Sequence, residues 1–86
     1  MSAETRIIGI LVKDRQQNID RVQDIFTKFG CTIRTRLGIN VSRNYKVDNA
    51  GLILLELIGD VKEMEKLENA LKMLDGVEVN KMIFEG

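Results

Sequence analysis

Histidine is absent from this 86-residue chain, proline is absent, and cysteine occurs once. Without an imidazole there is no ordinary general base, and a transition-metal site of usual strength has no ligands to draw on. The lone Cys31 forbids an internal disulfide and fits a reducing compartment, so the expected location is cytoplasmic. It also rules out a cysteine-ligated iron–sulfur cluster, which takes four thiolates. The first loop, Lys13-Asp14-Arg15-Gln16-Gln17, lacks the Cys-x-x-Cys of metal chaperones. No run of clustered Asp and Glu suggests a carboxylate-only Mg²⁺ or Ca²⁺ site, so no metal and no cofactor are expected. Net charge is likewise missing: 13 basic residues balance 13 acidic ones, and no overall field draws the protein to nucleic acid or anionic membrane. No apolar run approaches the ~18 residues of a membrane span, and Met-Ser-Ala-Glu-Thr-Arg has no apolar signal core. With no proline, linker or low-complexity stretch to divide it, the chain reads as a single domain over residues 1–86.

What is present is a repeat with an offset of 46 residues: Asp14 and Asp60 each follow an apolar run, and Gly30 and Gly76 each stand 16 residues further on. Each half reads as strand, capped helix, glycine stop and strand. The fold expected is therefore an α+β sandwich of βαββαβ topology, with a four-stranded antiparallel sheet and two helices on one face. The first strand spans about Thr5 to Lys13. Asp14 with Gln17, and Asp60 with Glu63, have the spacing of capping boxes. Ile19, Val22, Ile25, Phe26 and Phe29 form the stripe of the first helix; Val61, Met64, Leu67, Leu71 and Leu74 form that of the second. The second strand runs from Thr32 to about Ser42, a hairpin loop covers Arg43 to Asn49, the third strand is Ala50 to Ile58, and the fourth is Val77 to Phe84.

Right-handed crossovers put both helices on the same side of the sheet. Ile33, Leu37, Ile39, Val41, Val77, Val79 and Ile83 on the outer strands are odd-numbered, which assigns odd positions to the helices. The uncovered face then takes Ile8, Ile10, Val12, Leu52, Leu54, Glu56 and Ile58 from the central strands. An aliphatic face with no helix over it marks an interface, and a sheet-to-sheet homodimer is the economical occupant. Arg34, Arg36, Gly38 and Asn40 share that parity. A hairpin centred on Lys46 sets Arg36 opposite Glu56, or Arg34 after a two-residue slip, so an Arg–Glu cross-strand pair is expected. Such a pair either sets the register of an interface or leaves a guanidinium for an anionic ligand. The tentative ligand set is Arg34, Arg36, Gly38 and Glu56; the tentative interface is Ile8, Ile10, Val12, Leu52, Leu54 and Ile58.

The topology hosts many functions, and the residues remove several. The central strands Ile7–Val12 and Leu52–Ile58 carry no aromatic on which RNA bases could stack. No nucleophile–base spacing stands out, so no catalytic residue is assigned. Cys31 reads as a small residue at a strand start. An acylphosphatase-like hydrolase would use Arg15, though no glycine cradle accompanies it.

Asp14-Arg15 after the first strand, Arg36-Leu37-Gly38, the aliphatic Leu52–Leu57 and Gly76-Val77-x-Val79 together resemble the small iron-only hydrogenase system regulators, which have an ACT-like, ferredoxin-like fold. The resemblance covers nearly the full chain and implies a regulatory role. The C-terminal domain of nickel-responsive repressors is similar in topology, but Asn40, Arg43 and Asn44 stand in the region of its histidine ligands, so nickel sensing does not carry over. ACT domains that bind amino acids show a Pro-Gly pair where Gln16-Gln17 stand here. The expectation is a non-enzymatic, cytoplasmic homo-oligomer, dimer or tetramer. It would bind a small ligand or a protein partner near the subunit interface, without touching DNA or membrane directly. The alternatives are a scaffold module with no small ligand and the minor hydrolase.

Overall fold

The computed structural model describes residues 4–13, 15–39 and 51–85. The elements are β1 (Glu4–Val12), α1 (Arg15–Lys28), β2 (Ile33–Ile39), β3 (Gly51–Leu57), α2 (Val61–Lys72) and β4 (Val77–Glu85). They form one antiparallel sheet in the order β2-β3-β1-β4. The expected βαββαβ, ferredoxin-like architecture is therefore the one observed. The proposed cap at Asp14, the end of the second strand over Asn40 to Ser42 and the hairpin loop Arg43 to Asn49 lie outside the described residues.

The second helix starts as its sequence suggests. Asp60, with an extended backbone, accepts a hydrogen bond from the Lys62 amide at 2.9 Å, which satisfies one of the orphan donors of the first turn. The reciprocal half of a capping box does not form, because the Glu63 carboxylate is engaged by Lys66 at 3.1 Å one turn on. Gly59 and Gly76 both take positive φ, at 94° and 78°, where a side chain would crowd the backbone. Gly76 thereby turns the chain from α2 into β4, and its carbonyl accepts from the Lys13 amide at 2.7 Å.

Apolar side chains from both helices and all four strands make the core, β2 contributing Ile33. Val22, Phe26 and Phe29 on α1 and Met64, Leu67 and Leu71 on α2 meet Ile8, Ile10 and Val12 on β1 and Leu55 and Leu57 on β3, with Val77 and Val79 of β4 packed against them. Both helices thus cover one face of the sheet. Register decides which residues face them. Ile8 lies opposite Leu55 and Ile10 opposite Ile53, so even positions of β1 share a face with odd positions of β3. The same holds against β4, where Ile10 pairs with Val79 and Val12 with Val77.

The expectation that Ile8, Ile10 and Val12 line the uncovered face is therefore corrected: each is at most 1% exposed, beneath the helices. Parity does not carry from strand to strand, because the length of each connection and the pairing it allows reset it. β2 departs differently. Ile33 pairs with Leu57, but Thr35 pairs with Glu56, so Arg34 is an extra residue in a β-bulge. The bulge reverses the remaining parity. Arg36 and Gly38, opposite Leu55 and Ile53, fall on the helix side, and Leu37, expected under the helices, faces away from them.

Two charged side chains of opposite sign are buried among the core elements. Glu68 of α2 is buried and accepts from Lys72 at 2.7 Å and from Lys81 of β4 at 3.1 Å, tying the helix to the edge strand. Burial by itself would raise the Glu68 pKa. The hydrogen bonds from Lys72 and Lys81, and their positive charge, outweigh it and hold the carboxyl below its ordinary value. Arg6, buried on β1, is met by Glu4 and, at 3.8 Å, by Glu65.

Candidate functional site: the helix-free face of the sheet

The uncovered face can be read row by row from the cross-strand pairs. One row runs Leu37, Leu54, Gly9, Asn80; the next runs Thr35, Glu56, Ile7, Met82; on the other side of the first lie Leu52, Leu11 and Glu78. Phe84 sits beside Thr5 at the end of β1. This surface is mainly apolar, with Thr35, Glu56, Asn80 and Glu78 among its polar members, and Leu37, Met82 and Phe84 are 53%, 55% and 54% exposed. The residues expected from β3, Leu52 and Leu54, are on it, and Ile58 follows just past the strand. Ile7, Gly9 and Leu11 hold the places assigned beforehand to Ile8, Ile10 and Val12.

Sequence reasoning missed Ile7, Leu11, Leu37, Met82 and Phe84. On β1 the cause is plain: Ile7-Ile8-Gly9-Ile10-Leu11-Val12 is apolar at both parities, so alternation carries no signal. One other signal was available. The small Gly9 is less suited to a core that needs volume, which points its parity outward, whereas Arg6, at the buried parity, argues the other way. On β4, Met82 and Phe84 are apolar at even positions beside odd apolar neighbours.

Glu56 is the charged residue of β3 on this face, and the structure gives it a partner other than the one expected. The Thr35 hydroxyl donates to its carboxylate at 2.7 Å. The Arg36–Glu56 pair does not exist, because the bulge at Arg34 sends Arg36 to the opposite face. There its guanidinium stacks 4.9 Å from the Phe26 ring centroid. Arg36 and Gly38 on one side of the sheet and Glu56 on the other cannot line one pocket, and Arg34 is the bulge residue itself. The four residues proposed as a ligand set are thus not brought together.

A shallow depression of about 340 Å³ takes their place, lined by Gly9, Leu11, Leu52, Glu78 and Asn80. It exists because Gly9 puts no side chain between Leu54 and Asn80. The backbone does not require glycine there: its φ is not positive, and an added Cβ would meet Leu54 Cδ2 at an ordinary 3.5 Å. One wall is polar, where Glu78 is bridged by Lys13 at 3.6 Å. Among the described residues no group of three or more Cys, Asp or Glu side chains could hold a metal ion. No helix there is long and apolar enough to cross a membrane.

Known proteins place this geometry in context. The structure is similar to the uncharacterized protein TM1266 from Thermotoga maritima, with a TM-score of 0.79, 24% identity, and coverage of 98% of this chain and 99% of that one. It is also similar to the ACT domain from GTP pyrophosphokinase of Chlorobium tepidum, with a TM-score of 0.61, 23% identity and coverage of 95% and 97%. A third likeness is to the PII-like protein CPII from Thiomonas intermedia K12, solved with ADP, AMP and acetate, at a TM-score of 0.60, 10% identity and coverage of 100% and 91%. At these identities the likenesses establish a fold of the ACT and PII-like, ferredoxin-like type. No curated protein matches the sequence. Residues 4–81 match the model of one family across nearly the whole chain, and the protein accordingly belongs to the TM1266-like family, described as "Iron-only hydrogenase system regulator, putative".

Proposed function

We propose that the protein is a non-enzymatic regulatory domain that works as a homo-oligomer. A second copy covers the helix-free face, and a small ligand binds in the cavity this closes over Gly9. The carrying observation is the face itself: Ile7, Leu11, Leu37, Leu52, Leu54, Met82 and Phe84 form an apolar surface with no helix or strand of the described residues above it. Burying it against a second copy removes that area from water, a gain of roughly 25 cal/mol per Å² of apolar surface. Its one β3 charge, Glu56, is already hydrogen-bonded within the subunit, which lowers the cost of covering it.

The depression supports a ligand site. Its floor is apolar, one wall carries Asn80 and the Glu78–Lys13 pair, and a second subunit would enclose it. Regulation would follow from differential affinity: a ligand that binds the assembled form shifts the equilibrium toward it, or changes its affinity for a protein partner. The family's description names the hydrogenase system as the regulated process. CPII, of related fold, was solved with adenine nucleotides, which makes these the first compounds to screen.

Native mass spectrometry of the purified protein tests both parts. The expected species is a dimer or tetramer carrying extra mass, and Leu54→Asp should leave a folded subunit that has lost both partner and ligand. A wild-type monomer would refute the reading, and an oligomer with no added mass under any screened metabolite would refute its ligand half.

A further inference from the structure

Two carboxylates stand in the rows of the helix-free face, and they are provided for differently. Glu78, at the rim of the depression, has its own cation in Lys13, 3.6 Å away. Glu56 makes no ion pair among the described residues. The Thr35 hydroxyl, donating to Oε1 at 2.7 Å, is its partner, and the side chain is half-buried in the single subunit.

The surroundings of Glu56 on this face are apolar on three of four strands. Leu54 precedes it and Ile58 follows it on β3, Ile7 lies opposite on β1, and Met82 of β4 ends the row. β2 supplies Thr35 opposite and Leu37 next to it. The charged groups nearest on the same side are Arg34, exposed at the bulge beside Thr35, and the Lys13–Glu78 pair two rows away. Arg6, Arg36 and Lys81 belong to the helix side, where they meet Glu4, Phe26 and Glu68.

We propose that assembly through this face takes up a proton at Glu56 of each copy, which makes self-association a response to pH. This rests on the reading of the face as the contact between copies. A second copy laid over the row strips water from the carboxylate. It brings only the same face, so it adds no cation of a kind not already named, and Lys13 is held by Glu78. An ionised carboxylate covered by apolar surface without a cation is costly, and the single Thr35 hydroxyl offsets only part of that. The neutral acid avoids the charge, still accepts from Thr35 through its carbonyl oxygen, and gains an O–H donor. In a two-fold contact the same event occurs twice.

The sign is fixed by linkage. The assembled form binds protons that separate subunits have released, so raising the pH opposes assembly. The readout is clean because the chain has no histidine, the side chain that ordinarily changes charge between about pH 5 and 8. Glu68 titrates below its ordinary value of 4.5, so the subunit's own ion pairs persist across that window.

Sedimentation of wild type, Glu56→Gln and Glu78→Gln from about pH 5.5 to 7.5 tests the proposal. The wild-type dissociation constant should rise with pH, by up to about tenfold per pH unit for each proton, or about 100-fold for two copies. Glu56→Gln, whose amide oxygen can still accept from Thr35, should assemble with no pH dependence and more tightly than wild type at the upper end. Glu78→Gln should keep the wild-type slope. Dilution calorimetry in two buffers of different ionisation enthalpy counts the protons directly, about one released per subunit on dissociation where the slope is steepest. A flat wild-type profile, a slope that survives Glu56→Gln, or a slope lost in Glu78→Gln would overturn the proposal. An oligomer with a flat profile would leave the face reading standing, whereas a wild-type monomer at every pH would refute that reading and this one with it.

Discussion

Replacing Ile10 by alanine separates the observed face assignment from the one that alternation alone suggests. Ile10 is fully buried, between Ile53 and Val79 across the sheet and beneath the helices. The substitution removes three carbons, worth about 2.5 kcal/mol at roughly 0.8 kcal/mol per buried CH₂. The cavity left among the surrounding aliphatics adds to this, for a total of about 3–4 kcal/mol. In a domain of this size each kcal/mol moves the melting temperature by about 4–8 °C, so a fall of roughly 12–32 °C is expected. Leu11, the next residue, is half-buried on the helix-free face. Leu11→Ala should cost the subunit less than about 1 kcal/mol while weakening self-association. Urea unfolding at one low protein concentration, with sedimentation of the same samples, measures both quantities. Concentration must be held constant because association itself stabilises the folded state. The reverse pattern, with Ile10→Ala mild and dissociating and Leu11→Ala severely destabilising, would refute the register on which the site is built.

Four further outcomes come from the same geometry. Glu68→Gln should destabilise by about 1.5–3 kcal/mol near neutral pH through loss of charged hydrogen bonds to Lys72 and Lys81. The folded Glu68 pKa lies below the unfolded one, so its stabilisation is complete above the ordinary value of 4.5 and is lost as pH falls through the folded pKa. The gap between wild type and variant in urea titrations should accordingly close on acidification below that value. A gap independent of pH would disprove the ion-pair account. A double-mutant cycle on Arg36 and Phe26 should return a coupling of about 0.5–1 kcal/mol, and one on Arg36 and Glu56 close to none. The opposite result would restore the cross-strand pair and remove the bulge. Gly59→Ala, at φ 94°, should cost about 1–2 kcal/mol in backbone strain. Gly9→Ala should leave the subunit's melting unchanged and lower self-association by partly filling the depression, as a dilution series by light scattering would show.

Element order was legible from the sequence because it rests on local physics. A capping aspartate, a 3.6-residue stripe and a glycine at positive φ act within a few residues of chain, and Asp60, Met64-Leu67-Leu71 and Gly76 do what their spacing suggests. The βαββαβ order, the single layer of helices and the existence of an apolar uncovered face follow from those elements together with handedness. Which residues form that face is not local. It depends on how β1 is registered against β3, and β1 is apolar at every position from Ile7 to Val12 except Gly9, so either parity could have been buried. It depends equally on one inserted residue, Arg34, whose bulge turns Arg36 toward Phe26 and Leu37 toward the helix-free face. The sequence by itself determined the elements, their order and the surplus of apolar surface beyond what two helices can cover. Only the tertiary structure decided whose side chains make up that surplus, because a strand has two equivalent faces until its neighbours select one.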